Sequence, residues 1–301
     1  DQAEELYQQS LAIYRELGNL HSQLDMLTGL GDISVKTGHY DRALAFYQQC
    51  LPIGEQLYDR KFTADFLNNV IARAFIEAKQ YDRSILVRQE AQAIYRELGQ
   101  KEDEARMLKY LGDTYRQLER NEEALESYQQ SLAIFKEVGD RQWEVWVLQS
   151  LGELHLALQQ YSPALVFYKQ AVTIYRELGD RGKEMLALQE IGNTYLAMGQ
   201  TEVALEFHQQ YLALVQTSDD RFQEIATLHE LGASYQEQQQ YDRALELYQQ
   251  ALSLSYALQQ QPDFASFDLV GTSLGKIGSL FAAQERAELA IVFYKSAINA
   301  Y

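Results

Sequence analysis

Side chains able to do covalent or metal chemistry are few and scattered. The 301-residue chain has five histidines and one cysteine. His21, His39, His155, His208, His229 and Cys50 show no HxxxH, HExxH or paired-cysteine spacing. A metal site therefore lacks its ligand set, and no metal or other cofactor is expected. His155 and His208 stand where sister segments carry tyrosine and read as packing residues. No GxxxxGK[ST] or GxGxxG occurs. The stretch GTSLGKIGS at 271–279 lacks P-loop spacing and follows no apolar strand, so it reads as a small-residue helix stripe. Glu122-Glu123 belong to a solvated face. No catalytic constellation is expected, and the remaining chemistry is that of recognition.

A candidate recognition surface follows from helix geometry. Leu108, Leu111, Gly112 and Tyr115 form an apolar stripe. Turning about 140° around the helix, at about 100° per residue, reaches Arg106, Lys109, Asp113 and Arg116. Their i, i+3, i+7, i+10 spacing puts them on one exposed line. The matching lines elsewhere are Asp25, Thr28, Asp32, Val35; Trp146, Gln149, Glu153, Leu156; Leu186, Gln189, Asn193, Leu196; and Ala226, His229, Ala233, Gln236. Asn68, Asn69 and Arg73 complete the set. Arg73, Arg106, Lys109 and Arg116 would suit a carboxylate or phosphorylated ligand, unless Asp113 and Glu153 neutralise them internally. Trp146 beside Gln149, Gln189, Asn193, Asn68 and Asn69 would suit an extended peptide, with the amides matching its backbone and the indole as anchor. The competing reading packs Trp146 into the core.

The elements that must carry these lines come from a repeat. YQQSLAIYRELGN at 7 returns as YQQSLAIFKEVGD at 128 and YKQAVTIYRELGD at 168, with weaker copies at 47, 88, 208, 248 and 294. The steps are 40, 41, 40, 40, 40, 40 and 46 residues, a period that signals a stacked-repeat architecture. Within 144–179 two stretches of period near 3.6 are separated by a turn at Ser162-Pro163, so one unit is helix, turn, helix. Ser162, Asp41, Asp82 and Asp242 are placed to cap second helices, and Gly18, Gly99, Gly139 and Gly179 to close them. Gly31, Gly112, Gly152, Gly192, Gly232 and Gly278 fall mid-helix, each costing about 1 kcal/mol relative to alanine. Recurrence of that cost implies a neighbour too close for a Cβ. Ala43, Ala124, Ala164, Ala204, Ala244 and Ala290 follow twelve residues later, and rings such as Tyr47, Tyr128, Tyr168, Tyr248 and Tyr294 four beyond those. Ring into gap is the packing logic.

Leu-Gly, an aromatic three residues on (Tyr115, Tyr195, Tyr235), then small-x3-aromatic-x2-small (Ala124, Tyr128, Ser131) resembles the tetratricopeptide repeat, in its longer variant of kinesin light chains and bacterial signalling arrays. The pattern covers essentially the whole chain. The resemblance implies an all-α, right-handed superhelical solenoid, with first helices lining a concave groove. One such solenoid is expected over 1–301: a leading helix over 1–18, then helix pairs over 20–58, 61–99, 101–139, 141–179, 181–218, 221–259 and 267–301. The usual closing proline is absent, Ile71-Ala72 replaces Leu-Gly in the second repeat, and the last repeat follows an insertion around QQQPDFASFD. Pro52 and Gly54 break the pattern of their own repeat: either the helix kinks there or the change is drift. The Lys and Asn set by which chaperone-binding members clamp a terminal carboxylate is missing.

Net charge is −17 with 47% apolar residues. That argues against nucleic acid or anionic membrane as the main partner, and apolar content argues against disorder. No apolar run approaches a membrane span, and a lone Cys50 fits a reducing, cytoplasmic setting. The chain opens on Asp1 rather than methionine, so an excised piece is expected, and flanking domains are left open. The expected function is a non-catalytic scaffold that holds a partner's peptide or helix in the groove, with self-association compatible. The alternatives are the sensor or oligomerisation segment of a larger kinase, protease or STAND ATPase, and a peptide-sensing bacterial regulator.

Overall fold

Apolar residues at helical spacing fold here into consecutive helices. A computed structural model describes residues 2–218, 220–260 and 268–300, and the insertion expected around 259–268 falls largely outside them. The chain divides into two compact units, Asp1–Leu158 and Gln159–Tyr301. The first holds α1 (Gln2–Glu16), α2 (Leu20–Lys36), α3 (Tyr40–Leu57), α4 (Arg60–Phe66), a π-helical stretch (Leu67–Ala72), α5 (Arg73–Glu77), α6 (Tyr81–Glu97), α7 (Lys101–Gln117), α8 (Asn121–Val138) and α9 (Arg141–Ala157). The second holds α10 (Tyr161–Leu178), α11 (Arg181–Ala197), α12 (Thr201–Val215), α13 (Arg221–Glu237), α14 (Tyr241–Gln259), α15 (Leu269–Ala283) and α16 (Ala287–Ala300). Among the described residues there is no strand. Helices pack in consecutive pairs, among them α2 on α3, α7 on α8, α11 on α12, α13 on α14 and α15 on α16. The molecule is an all-α array of helix pairs with one leading helix.

The mid-helix glycines make those pairs close. A Cβ on Gly112 would lie 2.6 Å from the Tyr128 ring, and one on Gly278 would lie 2.8 Å from Tyr294. Tyr47 fills the same gap at Gly31, Tyr248 at Gly232, and His208 at Gly192. The packing role read for His208 is its observed one. Tyr47, Tyr128 and Tyr248 are buried almost completely, so the lost helix propensity is exchanged for ring burial.

The recurrent phrase RELG, KEVG in one copy, builds the corner between repeats. Gly139 and Gly179 adopt φ of 78° and 71°, a left-handed closure that glycine reaches without strain. The next residue then caps the following helix. Asp140 accepts from Trp143 N at 3.1 Å, Asp180 from Lys183 N at 3.0 Å and Asp220 from Gln223 N at 2.9 Å. Arg176 reaches across its corner to the buried Glu184 at 2.6 Å, and Arg96 to Glu104 at 2.7 Å. The expectation for second-helix caps is corrected. Asp41, Asp82, Ser162 and Asp242 are second helical residues, and the cap positions are His39, Gln80, Gln160 and Gln240. The acids still favour the helix start, through the positive end of its dipole.

The second repeat is the irregular one. Its first helix, continuous from Arg60 to Glu77, spans one residue more than the seventeen of α2, α7, α9, α11 or α13. This is the structural form of the 41-residue step. The extra residue is taken up in the π-helical turn, where one i→i+5 loop shifts the register without ending the helix. Beyond it, Ala72 occupies the glycine position. Arg88, rather than a ring, stands opposite in the sequence pattern. Its guanidinium instead donates to Tyr110 O at 2.7 Å and Thr114 Oγ1 at 2.6 Å. α3 runs unbroken through Pro52, and Gly54 receives the ring of Phe62 from α4. That glycine is occupied space and not drift.

The lock is testable at Gly112. Gly112→Val should lower the urea midpoint, with destabilisation of about 1–3 kcal/mol from overpacking. Gly182→Ala, whose Cβ meets only Asp180 Oδ1 at 3.8 Å, should leave the midpoint unchanged or raise it. A wild-type midpoint for Gly112→Val would refute the steric account.

Candidate functional site

Six of the residues read from the exposed lines come together in the first unit. Lys109, Asp113 and Arg116 from α7 face Trp146, Gln149 and Glu153 from α9 across a cleft of about 430 Å³, completed by Gln117 and Ser150. The two helices are the first members of successive pairs, so the same registered line on each meets its neighbour. Gln117 and Ser150 were not anticipated. Gln117 lies one turn beyond Asp113, and that spacing could have revealed it.

The cleft is electrically closed. Lys109 Nζ donates to Asp113 Oδ2 at 2.7 Å, and Arg116 Nη1 to Glu153 Oε2 at 2.8 Å. Glu153 Oε1 also accepts from Gln149 Nε2 at 3.1 Å. Tyr128 donates its hydroxyl to Asp113 Oδ1 at 2.8 Å. Burial, reinforced by the negative charge of Asp113, pushes the Tyr128 phenol well above its ordinary range. The ring that locks the repeat therefore orients the carboxylate that holds Lys109.

Trp146 lies at the edge of an aromatic cluster. Trp143 stacks on Phe135 at 5.6 Å, meets Tyr110 edge-on at 5.9 Å, and lies under the Arg106 guanidinium at 5.4 Å. Trp146 stands edge-on to Trp143 at 4.7 Å and keeps 38% of its surface exposed. Trp143, absent from the sequence-derived set, is the buttress. Trp146 shares both natures, packed on one edge and open to the cleft on the other.

The remaining residues divide. Arg106 pairs with Asp103 at 2.8 Å, and Arg73 with Glu77 of its own helix at 3.2 Å. All four basic side chains read as ligand-seeking thus have carboxylate partners. Asn68 is corrected: it lies buried in the π-helical turn and donates to the exposed Asn69 at 2.9 Å. The register shift of that turn carries it off the exposed line. In the second unit Gln189 and Asn193 of α11 line a smaller cleft of about 130 Å³ against Thr227, Glu230 and Ser234 of α13. His229 is also corrected. It is 8% exposed, with Nε2 2.9 Å from Ser273 Oγ of α15, because the next first helix covers it. Among the described residues no group of three or more His, Cys, Asp or Glu converges to hold a metal. No helix there is long and apolar enough to cross a membrane.

Burial, with Lys276 adding to it, pulls the His229 pKa down to about 4. The fold therefore prefers neutral imidazole and binds fewer protons than the unfolded chain between that value and the ordinary 6.5. Stability is full above pH 6.5 and falls as pH drops toward 4. Between pH 7 and pH 5 the loss should be about 2 kcal/mol. Urea unfolding of wild type and His229→Gln across that range should show the difference vanishing in the variant. Parallel pH profiles would refute it.

A family model for the tetratricopeptide repeat matches residues 1–56, 62–137, 103–177 and 184–257. No curated protein sequence matches the chain. Solved structures share the fold at low identity. A STAND signal transduction ATPase with a tetratricopeptide repeat sensor, from Pyrococcus horikoshii, is 15% identical with a TM-score of 0.57, covering 98% of this chain and 44% of that one. Aspartyl phosphate phosphatase F from Bacillus subtilis is 16% identical with a TM-score of 0.56, covering 96% and 73%. BtubC (BKLC) from P. vanneervenii is 19% identical with a TM-score of 0.53, covering 71% and 89%. Repeated Leu-Gly, aromatic and small positions, the helix pairs they build and the family match over most of the length lead to one conclusion: the chain belongs to the tetratricopeptide repeat family.

Proposed function

We propose that the chain is a non-catalytic interaction module whose cleft between α7 and α9 holds an extended segment of a partner protein. One observation carries this reading. Side chains from equivalent lines of two successive first helices converge on one open cleft, with a half-exposed tryptophan at its edge. A buttressed indole loses little side-chain entropy on binding and offers a large apolar face, as interface anchors do. Gln117, Gln149 and Ser150 supply donors and acceptors for a peptide backbone. Because Lys109 and Arg116 already have carboxylate partners, a ligand carboxylate or phosphate would have to displace them. The favoured ligand presents an apolar side chain to Trp146 and a largely neutral backbone to the rest, so binding should depend weakly on salt.

A second reading, the sensor segment of a longer signalling protein, is favoured by the alignment of nearly the whole chain with less than half of an ATPase whose repeats are described as a sensor. It uses the same cleft, with the partner segment acting as the signal.

A photo-reactive benzoylphenylalanine at Gln149, introduced into the protein in its own cell, should capture a discrete partner. The same probe at Leu86, exposed on α6, should not. With the captured segment in hand, Trp146→Ala should weaken binding about tenfold or more. Raising salt tenfold should change affinity by less than about threefold. Capture at both positions alike, or full affinity in Trp146→Ala, would overturn the assignment.

A further inference from the structure

A second surface lies on the layer of second helices. In the first unit, successive second helices are tied by ion pairs in a repeating register. Glu4 of α1 pairs with Arg42 of α3, Asp41 of α3 with Arg83 of α6 at 2.6 Å, and Asp82 of α6 with Arg120 ahead of α8 at 3.7 Å. Arg42 and Arg83 are each the third residue of their helix, and Asp41 and Asp82 the second. In the second unit Glu202 is the second residue of α12 and Arg243 the third of α14. Among the described residues these two make no ion pair. Arg243 turns instead to Gln240 Oε1 at 3.0 Å and lies 5.5 Å over the Tyr235 ring.

A cleft of about 550 Å³ lies between α12 and α14. Its floor is apolar: Leu205, Leu212 and Leu231 are buried beneath it, and Leu247 lines the side. Its rim is acidic. Glu202 and Glu206 stand one helical turn apart on α12, Glu246 faces from α14, and none has a cationic partner among the described residues. Gln238 also lines the cleft, its Oε1 accepting from Gln240 Nε2 at 2.9 Å.

From this cleft we infer that the second unit carries a docking site for a basic amphipathic segment of a partner protein. Apolar side chains of the segment cover the leucine floor, and its Lys or Arg residues, spaced one turn apart, meet Glu202 and Glu206. Charge complementarity selects the occupant, because these carboxylates, unlike Asp113 and Glu153, need not break an internal pair to bind a cation. The site is built from other helices than the α7–α9 cleft.

The test uses a fluorescein-labelled Leu/Lys amphipathic peptide of about 18 residues and a Leu/Glu peptide of the same apolar spacing, titrated by anisotropy. The Leu/Lys peptide should bind saturably, and the Leu/Glu peptide should not. Glu206→Lys with Glu246→Lys should weaken binding about tenfold, or about 1.4 kcal/mol. Glu122→Lys with Glu126→Lys, an equal charge change on exposed positions of α8, should leave affinity within about twofold, as should Trp146→Ala. Equal losses in the two reversal pairs would reduce the effect to net charge. That result, no saturable binding, or binding of both peptides alike would overturn the site.

Discussion

An aromatic ring lying where a Cβ would be sets the distance between the two helices of most repeats, and much else follows from that approach. Gly31, Gly112, Gly232 and Gly278 receive tyrosines, and Gly192 receives His208. The ring's far end then emerges on the first-helix layer. Tyr47 donates to Asp32 at 2.6 Å, Tyr128 to Asp113 at 2.8 Å and Tyr248 to Gln236 at 3.2 Å. A packing device thereby fixes polar groups on the surface proposed to bind. Asp113 shows the coupling best, with one oxygen on the locking tyrosine and the other on Lys109. Its geometry is held from below, so the cleft is preorganised by the core.

The second repeat shows how much the array tolerates. One extra residue is absorbed as a π-helical turn, and Ala72 and Arg88 stand where the glycine and the ring are elsewhere. The two changes are consistent with each other, since a methyl group at the closest approach leaves no room for a ring. Arg88 lies largely buried, and burial depresses its guanidinium pKa, yet it stays anchored by a carbonyl, a hydroxyl and the face of Tyr110. Each repeat touches only its neighbours, so such a fault stays local. Phe62, seated on Gly54 and stacked on Tyr58 at 4.5 Å, repairs the adjoining contact.

Net charge of −17 says little about where charge is available. On the first-helix layer the basic residues of the first unit are matched by carboxylates within hydrogen-bonding distance. On the second-helix layer the same matching holds from α1 to Arg120, whereas the carboxylates of the cleft between α12 and α14 have no cationic partner among the described residues. Unmatched charge beside an apolar floor is rarer than charge itself. The two layers therefore offer different chemistry, a neutralised cleft with an indole on one and an acidic groove over leucines on the other.

Period, composition and the glycine–ring spacing were enough to read the helix pairs, because each repeat is a local unit whose apolar stripe has only one way to be buried. The 40-residue step and the 41-residue exception were both legible as arithmetic. So was the line Lys109, Asp113, Arg116 with Trp146, Gln149 and Glu153, because residues on one helix face remain on one face after folding. What the chain by itself left open was pairing. Whether Arg116 is free or bound to Glu153 depends on a residue 37 positions away, and nothing in its own helix decides it. His229 and Asn68 read as exposed because burial by the next helix, or displacement by a π turn, is absent from a single-helix projection. The groove between α12 and α14 is the same kind of fact. Glu202 and Arg243 occupy the positions of a tie found elsewhere, and only the folded structure, in which Arg243 turns to Gln240 and the Tyr235 ring, shows that the tie is not made.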